Sequence, residues 1–287
     1  MSDKSRFVRL PPGAGNVLVP AGSRRGAASG VSLLTFCRWL PLICQRGLYA
    51  AVWLAGPRAL PGRRIHWDPP PPLVEAIGAV AGVDAVAIYQ RPQASRGGVG
   101  AVLCRDGRPV AFVKTRPDPA ELERERAALE AFAGRPGDLF RVPRVLDHAA
   151  TWLMLEAMPA RPTWPWRSPP VERISVEVGG RLETAIPKPR GTPDHWRPMH
   201  GDLTPWNLRT VAGERWIIDW EGADWAPPYA DEVYHAAVMN AVFGTDPPPG
   251  KDEAVDFWIA RVAARANSDH DARLNARLVA ALARMRA

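Results

Sequence analysis

Apolar residues along the chain change rhythm several times, and each rhythm predicts an element. Leu73 to Val80 has helical spacing and predicts a short helix. Three runs rich in apolar and β-branched residues follow: Asp84 to Gln90, Gly98 to Cys104 and Pro109 to Lys114. They predict strands, the last two joined by Arg105-Asp106-Gly107, a tight-hairpin signal. A helix comes next. Pro117 to Pro119 open it, Glu121, Glu123 and Glu125 load its first turns, and Ala133-Gly134 close it. Leu122, Leu129 and Phe132 share one face of that helix. Val142 to His148 and Thr151 to Ala157 predict two further strands. The order β-β-β-α-β-β is that of an antiparallel sheet with one helix packed on it. Pro159 to Pro198 is rich in Pro, Trp and Arg, with weak strand character at Ile174 to Val178. Its proline content argues against long helices there. Short strands at Leu208 to Val211 and Trp216 to Asp219 precede three helical patterns, Asp231 to Phe243, Asp252 to Ala266 and Asp271 to Arg286. The fold class is therefore α+β.

The first part of the chain reads differently. Residues 1–30 alternate short apolar pieces (Val17 to Val19) with Gly, Pro and Arg, a pattern of either strand and turn or mobile chain, and residues 31–56 have helical composition, ending before Gly56-Pro57. The tract Asp68-Pro69-Pro70-Pro71-Pro72 interrupts any helix or central strand and marks a boundary. Three segments are expected: a basic N-terminal extension (1–67), a sheet-bearing lobe (68–158) and a mainly helical lobe (159–287). Charge sharpens this division. The net +7 of the chain arises in residues 1–67, with ten Lys/Arg against Asp3 alone. The remaining 220 residues carry 27 bases and 29 acids, so the body is not expected to bind nucleic acid. Cys37, Cys44 and Cys104 form no CxxC pair, which suits a reducing, cytoplasmic setting. The start lacks the apolar core of a signal peptide. The longest clean apolar run, Gly47 to Pro57, is shorter than the ~18–20 residues needed to span a bilayer.

The chemistry concentrates in His200-Gly201-Asp202-Leu203-Thr204-Pro205-Trp206-Asn207, followed by Trp216-Ile217-Ile218-Asp219-Trp220-Glu221. An Asp and an Asn five residues apart, with a second Asp 17 residues beyond the first, is what phosphoryl transfer requires. One carboxylate orients an attacking hydroxyl and accepts its proton. The amide oxygen and the other carboxylate offer hard ligands for Mg²⁺ on nucleotide phosphates. Upstream, Lys114 ends the third strand, and Glu125 lies on the following helix where it can pair with that cation. Glu121 and Glu123 are alternative partners.

These residues resemble the aminoglycoside phosphotransferase/choline kinase family, the small-molecule branch of the protein-kinase-like fold. HGD-x₄-N and IDWE are similar to its signature pair, and FVK followed by E-x₃-L-x₂-F to its N-lobe pair. The similarity covers roughly residues 84–158 and 199–243, and leaves out residues 1–67. It implies a bilobal α+β protein-kinase-like fold with an antiparallel N-lobe sheet. It implies Asp202 as catalytic base, Asn207 and Asp219 as Mg²⁺ ligands, and Lys114 as an ATP-phosphate anchor held by Glu125. Leu155 to Met158, with Glu156 and Met158 facing the nucleotide, would be the hinge. The phosphate-covering loop matches least: Ser95, Gly97 and Gly98 supply hydroxyl and backbone donors without a GxGxxG.

Two departures bear on function. Only about 40 residues separate Met158 from His200, so the acceptor site is expected to be small, open or differently built. Trp164, Trp166 and Trp196 could stack on a ring there or pack on the lobe. Residues 159–199 carry seven bases and four acids, which does not suit a polycationic aminoglycoside. The basic extension is either a helical cap with solvated arginines or a contact for a peripheral membrane or other anionic surface. The resulting expectation is an ATP- and Mg²⁺-dependent O-phosphotransferase acting on a hydroxyl of a sugar, metabolite or natural product. The alternative is a pseudokinase or adaptor that binds nucleotide and uses residues 1–67 to hold a partner. Within Asp224, Asp231 and Glu221, the sequence suggests a loop acid, a helix N-cap, and either a second metal ligand or a salt bridge.

Overall fold

A computed structural model of the chain describes residues 6–10, 16–90, 97–134, 137–265 and 272–286. The fold is α+β and bilobal. One compact unit comprises Met1–Leu122, Pro143–Pro165 and Thr210–Glu214, and the other Glu123–Val142, Trp166–Arg209 and Arg215–Ala287.

The first unit is built on an eight-stranded sheet. Its chain order is β1 (Arg6–Leu10), β2 (Val17–Pro20), α1 (Arg24–Ser32), α2 (Trp39–Ala55), β3 (Arg63–His66), α3 (Pro71–Gly78), β4 (Ala85–Gln90), β5 (Val99–Arg105) and β6 (Arg108–Thr115). Then come α4 (Pro119–Glu130), which starts in this unit and ends in the other, β7 (Val145–Ala149), β8 (Trp152–Leu155) and β9 (Trp164–Pro165). The strands lie in the order β3-β1-β2-β4-β5-β6-β8-β7, every neighbour antiparallel. Five of them are the strands the hydrophobic pattern predicts. The hairpin between β5 and β6 turns at Asp106 and Gly107 with φ of 50° and 67°, the left-handed pair a two-residue hairpin needs.

The other three strands come from the basic N-terminal segment, which is built into this lobe. Alternation along β1 explains how: Phe7 points to one side with Leu73, Ala76, Ile88 and Leu103, while Val8 and Leu10 point to the other with Ala27, Ala28, Val31 and Val52. The sheet is thus covered by α3 on one face and by α1 and α2 on the other. Such short strands, split by Gly- and Pro-rich residues, give too few alternations to decide from sequence between strand and mobile chain.

The second unit holds α5 (Val171–Leu182), β10 (Arg197–Met199), β13 (Asp224–Ala226), α6 (Ala230–Phe243), α7 (Asp252–Ala263) and α8 (Ala272–Met285). Between β10 and β13 lie the short strands β11 (Leu208–Val211) and β12 (Glu214–Ile217). Helices α6, α7 and α8 enclose a core of Val233, Tyr234, Val255, Trp258, Leu278 and Leu282. Helix α5 corrects the expectation for Pro159 to Pro198. Its flanking prolines stop at Pro170, before the first turn, where a missing N–H costs no intrahelical bond. Ile174, Val178 and Leu182 then form a buried helical stripe, not a strand.

Candidate active site

The segment from His200 to Asn207 is held by four local devices within the second unit. Strands β10 and β13 pair antiparallel, with Met199 opposite Asp224, which fixes the chain entering the loop beside the chain leaving Asp219. Asp231 then accepts the backbone N–H groups of His200 at 2.8 Å and Gly201 at 2.9 Å. His200 is fully buried, packs its ring on Trp220 at 4.5 Å, and accepts the Asp202 N–H on Nδ1 at 3.1 Å. His235 Nδ1 donates to the Leu203 carbonyl at 2.6 Å; burial lowers its pKa and keeps the ring neutral in that role.

Asp231 is a correction. Tyr229, not Asp231, is the N-cap of α6, and the Asp231 side chain reaches back some thirty residues to the loop. A helix-start carboxylate with no apolar neighbour pattern gives no sequence signal for that reach. Burial pushes Asp231 up to about 6, against the lowering effect of its two backbone donors and of Arg261. A carboxyl raised above its ordinary value stabilises the fold fully at low pH, and that contribution is lost as pH rises through about 6. The non-titrating variant Asp231→Asn should therefore lose more stability relative to wild type at pH 4.5 than at pH 7, measured by urea denaturation.

Gly201 has φ +79°, and a Cβ there would lie 2.1 Å from the Gly222 carbonyl oxygen. Backbone meets backbone at this point, so no side chain can move aside. Gly201→Ala is expected to cost about 2–4 kcal/mol, from strain plus displacement of the loop, read as a lowered Tm with parallel loss of activity.

Asp202 and Asn207 form a direct pair. Asn207 Nδ2 donates to Asp202 Oδ2 at 2.7 Å and to the Asp202 carbonyl at 3.0 Å, leaving the amide oxygen as its other polar atom. Burial, reinforced by the charge of Asp219, pushes Asp202 up to about 7, while Arg265 and Asn207 oppose the rise. A carboxylate near neutrality is suited to accept a proton from an alcohol. Asp219 sits beyond β12 in the left-handed region, at φ 67° and ψ 67°, an unusual conformation for a non-glycine residue. Its carboxylate, with those of Glu125 and Glu221, offers ligand atoms all within 4.8 Å of one another. Three hard oxygen donors at that spacing fit a divalent cation such as Mg²⁺.

Glu125 is thereby singled out from its neighbours. It is buried and accepts the Trp220 N–H at 3.3 Å. Glu123 pairs with Arg126 at 2.5 Å, and Glu121 with Arg116 at 3.6 Å. Glu221 belongs to the acidic cluster, while Asp224 is in an ion pair with Arg261 at 3.1 Å. Sequence reasoning passed over Trp220 and Arg265. Trp220 lies inside the IDWE motif, so its position between two acids was the available signal; Arg265 has none.

In the first unit, Lys114 is buried on β6 between Gly100 of β5 and Leu153 of β8. Gly98 has φ +100°, and a Cβ would stand 1.9 Å from the Thr115 carbonyl oxygen, so the glycine is required by its approach to β6. Gly97 is exposed beside it, and Ser95 lies outside the described residues. Glu156 is braced by Arg144 at 3.1 Å, and Met158 follows half-buried. The three tryptophans are all engaged: Trp164 under Arg46, Trp166 under Arg215, and Trp196 donating to Glu253.

Residues 180–286 match the model of the phosphotransferase enzyme family, APH. No curated protein matches the sequence. Among solved structures, macrolide 2'-phosphotransferase MphH from Brachybacterium faecium is 14% identical, over 72% of this chain and 97% of that one, with a TM-score of 0.42. ADP-bound aminoglycoside phosphotransferase APH(2'')-Ib is 7% identical, over 76% and 99%, with a TM-score of 0.41. Aminoglycoside phosphotransferase APH(3'')-Id from Streptomyces rimosus is 18% identical, over 73% and 96%, with a TM-score of 0.33.

Proposed function

We propose that this chain, whose residues 180–286 match the phosphotransferase enzyme family, is an ATP- and Mg²⁺-dependent O-phosphotransferase acting on a hydroxyl of a small molecule. The observation that carries the reading is the Asp202–Asn207 pair, held on a braced loop with Asp219 close enough to raise the Asp202 pKa. In the proposed reaction the acceptor hydroxyl oxygen bonds to the γ-phosphorus and the bond to the β-phosphate oxygen breaks. Asp202 takes the hydroxyl proton, and ADP departs. Asn207 orients the Asp202 carboxylate by its 2.7 Å hydrogen bond and, with Asp219, would hold the cation. Mg²⁺ bound there would neutralise charge on the transferring phosphates.

Lys114 is proposed as the phosphate-binding cation, its burial in the sheet fixing its position, with Glu125 as its counter-carboxylate. The backbone N–H groups of Gly97 and Gly98, with Ser95, would cover the phosphates. Leu155 to Met158, including Glu156, would border the base. Residues 159–199 carry seven bases against four acids, so an uncharged or anionic hydroxyl compound is proposed in preference to a polycationic one.

Thermal-shift titration with ATP, with and without Mg²⁺, followed by a turnover screen of hydroxyl compounds, tests the assignment. Mg²⁺-dependent stabilisation with turnover of an acceptor is expected. Stabilisation without any turnover would assign the chain to nucleotide-binding adaptors instead.

A further inference from the structure

Helix α2 is seated firmly by one side and bare on the other. Leu42, Gln45 and Val52 face inward, and Gln45 Nε2 donates to the carbonyls of Val31 at 2.9 Å and Leu34 at 2.6 Å, tying the helix to α1. The outward side carries Trp39, Ile43 and Leu54, which are 72%, 57% and 83% exposed, with Leu40 and Trp53 at its margins. Positions 39, 43, 50 and 54 fall on one stripe at helical spacing, and Ala50 is also exposed. The one charged residue of the helix, Arg46, folds back over the Trp164 ring at 3.3 Å and reaches the Thr163 carbonyl. Arg46 stands in line with this stripe, three residues after Ile43 and four before Ala50, but its side chain is turned to Trp164, and Cys44 lies to one side. A contiguous apolar face of this kind on a well-anchored helix marks an interaction surface.

Charge identifies the occupant. Not one Asp or Glu occurs from Lys4 to Trp67. Arg38 at the start of α2 and Arg58 just past its end are exposed, as are Arg24, Arg25, Arg63 and Arg64 in the same unit. A second copy would bring an equally basic face against this one, so self-association here is opposed by like charge. A surface that is apolar below and negative above complements it on both counts. Among the described residues no helix is long and apolar enough to cross a membrane, which leaves α2 lying in the interface rather than spanning.

We propose that the outward face of α2 docks on an anionic lipid bilayer, with Ile43 and Leu54 entering the acyl boundary, Trp39 and Trp53 at headgroup level, and the flanking arginines on lipid phosphates. This proposal stands independently of the phosphotransferase reading.

Flotation of the full chain with phosphatidylcholine vesicles, with and without half phosphatidylglycerol, tests it. The bound fraction is expected to be about ten-fold greater on the anionic vesicles and to weaken in 1 M salt. The paired substitutions Ile43→Glu and Leu54→Glu should abolish flotation without altering the Tm, since both residues are exposed. Arg38→Gln with Arg58→Gln should weaken it while leaving the apolar face intact. No flotation, equal flotation on both vesicles, or flotation indifferent to Ile43→Glu/Leu54→Glu would overturn the proposal. A concentration-dependent dimer dissolved by those same substitutions would also overturn it, assigning the face to a second copy.

Discussion

Asp202→Asn is expected to lower phosphoryl transfer by about 10²–10⁴-fold while ATP affinity stays within a few-fold. The substitution keeps shape and volume and can still hydrogen-bond to Asn207, so the loop stays braced by Asp231, His200 and the β10–β13 pair. What it removes is a carboxylate able to take a proton. Burial and the charge of Asp219 hold that carboxyl near 7 in the absence of a cation, which places its basicity close to working pH. Mg²⁺-dependent ADP formation and nucleotide titration of the two proteins check this. A variant retaining most of the wild-type rate would remove Asp202 from the role of base.

Asp219→Ala has the second large expected effect: Mg²⁺ no longer tightens ATP binding, and turnover falls by about 10²-fold or more. Asp219 is the member of the Glu125–Asp219–Glu221 cluster that lies just past β12 and also acts on Asp202 electrostatically. Its backbone separates chemistry from folding. At φ 67° glycine is at ease, so Asp219→Gly should fold at least as well as Asp219→Ala and be equally inactive. Asp219→Gly with unchanged Mg²⁺ dependence would show that the cation is held elsewhere.

The part of the fold legible in the sequence is the part with periodic patterns long enough to count. Strands β4 to β8, helix α4 and helices α6 to α8 all announce themselves by spacing, and the Asp106-Gly107 turn by composition. Residues 1–30 read only as strand and turn or as mobile chain, and β3 not at all, because β1 to β3 are each only four or five residues long. Helix α5 was masked by the prolines around it. In the candidate site, Asp202, Asn207 and Asp219 can be proposed from the sequence because their spacing is local. The reach of Asp231 to His200, the packing of Trp220 on His200, and the position of Arg265 depend on how helices return to the loop, which one sequence does not encode locally. The basic charge of the N-terminal quarter was legible as a number, but only the structure separates the arginines around α2 from the apolar face between them.

The most direct measurement is to follow the γ-phosphate of labelled ATP with wild-type protein, with and without Mg²⁺, across a panel of uncharged and anionic hydroxyl compounds and water. The account predicts Mg²⁺-dependent transfer of label to a hydroxyl, lost in Asp202→Asn while that variant still binds ATP. ATP bound by the wild-type protein with its γ-phosphate never released, or released equally by Asp202→Asn, would contradict it.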